Sequence, residues 1–180
     1  MYSIYQIIGV FWLLLPAGVS NMMPVFVKGV DVLNYPIDHG LKFGGKELLG
    51  PNKTWRGLFF GTIAGIIVVY IQVFLYPYVQ KYALLDYSAI SPLAIGFLLG
   101  FGALAGDSVK SFFKRRTGIQ PGKTWWVFDQ IDWIVGAFVF LALYHVFGLH
   151  VYVTGIILMG ILHPAINIIG YVLGIKKNVF

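Results

Sequence analysis

Long apolar runs separated by short polar stretches dominate this chain, and five of them approach the roughly 20 residues with which a helix crosses a bilayer. They cover about residues 4–27, 58–78, 91–106, 131–147 and 151–175. The third is short, and it reaches bilayer length if its helix continues through Asp107 to about Arg115, carrying polar side chains into the headgroup layer. Near-continuous apolar runs also occur in helices buried within soluble proteins. Five in a chain of 180 residues leave no polar surface to cover them. The pattern therefore predicts an all-α, polytopic integral membrane protein with about five transmembrane helices, organised as one domain over residues 1–180. Composition agrees, with 58% hydrophobic and 11% charged residues and a mean hydropathy of +0.80.

The few charges are placed asymmetrically. Lys28, Lys42, Lys46, Lys53 and Arg56 follow the first run, Lys110, Lys114, Arg115, Arg116 and Lys123 follow the third, and Lys176 and Lys177 follow the fifth; only Lys81 falls on the other side. The positive-inside rule then puts the N-terminus outside and the two long loops and the C-terminus in the cytoplasm of a multi-pass cell-membrane protein. The same rule accounts for the net charge of +6. No nucleic-acid-binding motif is present, and nucleic acid is not expected as a partner. The first run lacks a basic leader and a small-residue cleavage site, and Pro16 and Pro24 interrupt it, so it is expected to remain as a kinked span. Absence of cysteine excludes disulfides, thiolate catalysis and cysteine-ligated metals.

Gly61 and Gly65 in the second span, and Gly96, Gly100, Gly102 and Gly106 in the third, recur at small-xxx-small spacing, which predicts close helix packing. The run GFGALAG is not a nucleotide-binding glycine loop, because no strand precedes it.

Polar chemistry is confined to two loops, about residues 28–56 and 107–130. In the second, residues 106–132 read GDSVKSFFKRRTGIQPGKTWWVFDQID, with three Asp and five Lys or Arg. If the helix continues, Asp107, Lys110, Ser111 and Lys114 share one face at i, i+3, i+4 and i+7, and Asp129 and Asp132 form an i, i+3 pair entering the fourth span. Carboxylates of this kind suit Mg²⁺, which takes one or two of them and completes its shell with water and substrate phosphates. The plainer alternative is an Asp capping each helix start, with the cations serving as topology signals. In the first loop, PIDHG precedes GGKELLGPNKTWRG. Asn52, Lys53 and Thr54 stand immediately before a helix start, where backbone N–H groups favour phosphate; an ordinary N-terminal cap would read the same way.

The segment GDSVKSFFKRRTGIQP followed by DQID resembles the C-terminal hallmark of the CTP-dependent phosphatidate cytidylyltransferases, the CDP-diacylglycerol synthases, with Ser, Lys-Arg, Gly and a closing D-x-x-D in the same order. GPNKTWRG is similar to that family's Ser-Pro-Lys-Lys-Thr-x-Glu-Gly stretch. With the small size, PIDHG, NKTWRG and DQIDWIVG resemble the archaeal branch, the CDP-archaeol synthases. The likeness covers roughly residues 36–61 and 100–136. WWVF stands where the bacterial pattern has His-Gly-Gly, and Arg56 replaces an acidic residue; both departures are compatible with the archaeal branch.

The resemblance implies that an unsaturated archaeal ether-lipid phosphate, 2,3-di-O-geranylgeranylglyceryl phosphate, attacks the α-phosphorus of CTP to give CDP-archaeol and pyrophosphate. It further implies Asp107, Asp129 and Asp132 as Mg²⁺ ligands and, with Lys53, as the catalytic set. Asn52, Lys53, Thr54 and Lys123 are expected on the nucleotide phosphates, and Lys110, Ser111, Lys114, Arg115 and Arg116 on the lipid phosphate or triphosphate. Asp38 is a further polar contributor or a turn former.

Trp125 and Trp126 are expected as interfacial anchors rather than cytosine stackers. His163, inside the fifth span beside Pro164, is expected to be hydrogen-bonded to a neighbouring helix, without a catalytic role. A CDP-alcohol phosphotransferase would use similar chemistry, but its longer Asp-Gly…Ala-Arg…Gly…Asp…Asp pattern is missing. An anion transporter would place ionisable groups near the midplane, where His163 alone stands.

Overall fold

A computed structural model describes residues 4–121 and 123–172. Lys176 and Lys177, and the end of the fifth apolar run, lie outside the described residues. Five α-helices account for most of what is described: α1 (Ile4–Phe26), α2 (Trp55–Val79), α3 (Pro92–Arg116), α4 (Phe128–Leu141) and α5 (Leu149–Val172).

Helix boundaries follow local chemistry. Ser91 caps α3, accepting from the Ala94 amide at 3.4 Å with Pro92 at the first helical position. Thr54 caps α2 by accepting from the Gly57 amide at 3.2 Å. In α1, Pro16 and Pro24 lie inside the helix as the sequence indicates, and the Ser20 hydroxyl bonds back to the Pro16 carbonyl at 2.8 Å. Helix α3 continues through the polar segment to Arg116 and so gains its bilayer length from Asp107 onward.

Among the described residues four helices are long and apolar enough to cross a membrane: α1, α2, α3 and α5. The fourth differs from the sequence expectation. Its apolar run suggests residues 131–147, but α4 has 14 residues and gives way after Leu141 to turns closed by Leu143 and Tyr144 amides. At 1.5 Å per residue it is about 21 Å long, short of the ~30 Å hydrocarbon core. Leu13, Leu99, Ile134 and Ala137 are among the buried side chains around which the bundle closes, with α3 packed against α1, α2 and α4.

Glycines set those crossings. A Cβ on Gly65 would lie 3.0 Å from the Gly100 Cα, bringing α2 and α3 into backbone contact. A Cβ on Gly106 would lie 2.9 Å from the Gly136 Cα, doing the same for α3 and α4. Gln72 adds a buried polar tie, its Nε2 donating to the Trp12 carbonyl at 2.6 Å.

The loop before α2 carries a small hairpin absent from the sequence expectation, β1 (Lys42–Phe43) and β2 (Lys46–Glu47), paired antiparallel. Gly44 and Gly45, at φ 60° and 76°, form the two-residue turn that needs positive φ at both positions.

Candidate active site

Both loops converge on a cavity of about 370 Å³ at one end of the bundle. The last turns of α3 supply Asp107, Lys110, Ser111, Lys114 and Arg115, and the first turn of α4 supplies Asp129, Gln130 and Asp132. The loop before α2 adds Asn52 and Lys53; the loop before α4 adds Lys123 and Thr124.

An alternating chain of charges lines this cavity. Lys53 Nζ is paired with Asp107 Oδ2. Lys110 Nζ lies 3.0 Å from Asp107 Oδ1, 2.8 Å from Asp129 Oδ1 and 2.8 Å from Asp132 Oδ2. Lys114 Nζ donates to both oxygens of Asp129 at 3.1 Å. The helical period explains the register: residues three and four apart stack on one face of α3, and the i, i+3 pair of α4 faces them across the Gly106–Gly136 crossing. Burial pushes the Asp129 carboxyl up, but hydrogen bonds from Lys110, the Trp125 amide and Lys114 outweigh it and hold the group below its ordinary value. The Trp125 amide donates to Asp129 Oδ2 at 2.5 Å, which fastens the preceding loop to α4. Val127 within that turn has φ 69°, a left-handed conformation costly for a β-branched residue.

Three carboxylates converging on one cationic point are the donor chemistry of an oxygen-liganded divalent ion. Here the Lys110 ammonium holds the point. Among the described residues no group of three His, Cys, Asp or Glu is already spaced as a metal cage. The Asp trio therefore fits such an ion in type and convergence, with rearrangement of Lys110.

Several residues expected at the site are engaged elsewhere. Arg116, two positions beyond Lys114 and hence off its face, donates to the Phe43, Lys46 and Glu47 carbonyls and stacks near Phe43 and Phe112. It clamps the hairpin. Asp38 is buried and accepts from the Gly40 and Leu49 amides at 3.1 and 2.8 Å, the turn-forming alternative. The Thr54 hydroxyl caps α2, and the residue lines a smaller adjoining pocket of about 40 Å³. Ser111 lines the cavity while its hydroxyl bonds to the Asp107 carbonyl of its own helix at 2.9 Å. Arg56 is buried and donates to the Val30 carbonyl at 2.5 Å.

Asn21 of α1, Gln130 and His163 line the cavity without having been singled out for it. Asn21 and His163 carried a signal, since each is a polar side chain inside an apolar span. His163 accepts from Trp133 Nε1 at 3.4 Å, the bond to a neighbouring helix that its position indicated.

Known proteins share both the sequence and this architecture. A family model described as CarS-like, CDP-archaeol synthase, matches residues 1–180. A CDP-archaeol synthase of Halobacterium salinarum is 40% identical over 173 residues, covering 93% of each chain. One from Methanospirillum hungatei is 36% identical over 171 residues, covering 91% of this chain and 98% of its own. A solved structure of an intramembrane enzyme for archaeal membrane lipids biosynthesis superposes with a TM-score of 0.71 at 31% identity, over 88% of this chain and 92% of the other. Nucleotidyl transfer of this class typically uses a divalent metal. The chain, a membrane-embedded helical protein with a charged cavity at one end, belongs to the CDP-archaeol synthase family of cytidylyltransferases.

Proposed function

We propose that this chain transfers the cytidylyl group of CTP to an unsaturated archaeal ether-lipid phosphate, releasing pyrophosphate. The observation that carries this reading is the Lys53–Asp107–Lys110–Asp129/Asp132–Lys114 network on one cavity wall. Its three ammonium groups balance three carboxylates, and Arg115 and Lys123 on the same cavity leave an excess of positive charge for a triphosphate. A phosphate oxygen of the lipid attacks the α-phosphorus, the α–β bridging P–O bond breaks, and its electron pair leaves with pyrophosphate. The attacking oxygen is ionised at neutral pH, so no general base is needed; catalysis rests on position and charge neutralisation.

In this reading Asp107, Asp129 and Asp132 would hold Mg²⁺, which would supply charge neutralisation for the triphosphate. Lys53, Asn52 and Lys123 bind nucleotide phosphates. Lys110, Lys114 and Arg115 divide between the triphosphate and the lipid phosphate, which arrives at headgroup depth. The excess of basic residues in the two loops supports a cytoplasmic site in the cell membrane, where CTP is available. The relatives favour neither a CDP-alcohol phosphotransferase nor an anion transporter.

The test is pyrophosphate release by purified protein given each nucleoside triphosphate in turn, with and without lipid phosphate and Mg²⁺. Release is expected with CTP, lipid phosphate and Mg²⁺ together. Release that ignores the lipid, or none under any combination, overturns the reading.

A further inference from the structure

The polar cavity is continuous with a second one of different character. An apolar groove of about 320 Å³ lies between α1 and α5, with Trp133 of α4 on its floor. Phe11, Leu15 and Met22 form one wall, and Met159, Ile166 and Ile169 the other. Among the described residues no Asp, Glu, Lys or Arg lines it. Asn21, Val25 and His163 line both this groove and the charged cavity, so the two meet along that edge. Asp132 and Trp133 mark the same border from below: successive residues of α4, about 100° apart on the helix, one lining the charged side and the other the apolar side.

Resting on the catalytic reading above, we propose that this groove holds one isoprenoid chain of the lipid phosphate, led from the reacting phosphate past His163 into the bilayer. Along α1 the groove reaches from Phe11 to Phe26, roughly 22 Å at 1.5 Å per residue. That exceeds the ~15 Å depth of one hydrocarbon leaflet, enough for a chain to lie along its length. Met22, Ile166 and Ile169 are exposed, so the groove opens sideways and a chain enters without leaving the membrane. Other exposed apolar faces, such as Phe74 and Tyr78 on α2, do not line the charged cavity. At the border Trp133 donates to His163 Nδ1, which holds the ring at the mouth.

Gly18 supplies the means to test this. A Cβ there meets only Trp133 ring atoms, at 3.7 Å and beyond, so a larger side chain grows into the groove without striking backbone. Gly18→Leu and the rim variant Met22→Trp are compared with wild type in nanodiscs, using lipid phosphates with full-length and with truncated isoprenoid chains. CTP affinity is measured in parallel by calorimetry. The ratio of KM for the long-chain to the short-chain substrate is expected to rise about tenfold, the loss of roughly two methylene contacts, with CTP affinity unchanged. If Gly18→Leu loses CTP binding through misfolding, Met22→Trp at its exposed site decides. An unchanged ratio, or KM values rising equally for both lipids, overturns the groove assignment while the catalytic reading stands. No turnover of either lipid by wild type overturns that reading and this one with it.

Discussion

Lys53 and Asp107, 54 residues apart and carried by different loops, form a direct ion pair on the wall of the polar cavity. The pair ties the start of α2 to the polar end of α3 and makes one site from two sequence motifs. Lys53→Ala should weaken CTP binding by roughly tenfold to a hundredfold, the range for a charge-assisted hydrogen bond. Asp107 keeps Lys110 as a partner at 3.0 Å, so the fold should survive. Calorimetry at low and high salt measures the loss, which should shrink with salt for the solvent-exposed part. Unchanged CTP affinity removes Lys53 from the site.

Asp129→Asn and Asp132→Asn each remove a carboxylate charge from the point held by Lys110 while keeping side-chain shape. Turnover should fall about a thousandfold or more in each. Monodisperse elution and an undiminished melting temperature are the controls for folding. Near-normal turnover in both variants would leave the pair as helix-capping residues.

Arg116 offers the converse test, because its guanidinium binds hairpin carbonyls rather than facing the cavity. Arg116→Ala should speed hydrogen exchange and proteolysis over residues 41–48, while CTP affinity stays within about twofold, as for a surface change away from the ligand. A large loss of CTP affinity with an intact hairpin would return Arg116 to the phosphates.

Membrane sidedness is checked by single cysteines, available because the chain has none of its own. Cysteine at Lys46 should label only from the cytoplasm, and cysteine at Asp86 only from outside. Labelling of both from one face would refute the proposed orientation.

Much of the site was legible because its spacing is helical. Asp107, Lys110, Ser111 and Lys114 fall on one face of any continuous helix, and Asp129 and Asp132 on one face of the next, so their convergence needed only that α3 run past Asp107. The limits lie where tertiary structure decides. Nothing in the apolar run through residue 147 announces that α4 stops at Leu141, because hydropathy reports burial in lipid or protein and not helix continuity. Arg116 reads like its neighbours Lys114 and Arg115, yet the hairpin that claims it exists only through Gly44 and Gly45 and has too few residues to signal a strand. His163 could be tied to another helix from its apolar setting; its place on the cavity border depends on how α1 and α5 cross.

The backbone contact of Gly106 with Gly136 sits immediately beside the acidic residues, one position before Asp107 and one turn after Asp132. Spacing between the carboxylates of α3 and α4 is therefore set by the thickness of two glycines rather than by loop conformation. An added methyl at either position wedges the helices apart and pulls Asp132 away from Asp107 and Lys110, blunting the site without altering any group that does chemistry. Two hydrogen atoms in the helix interface thus act as the gauge of the proposed active site.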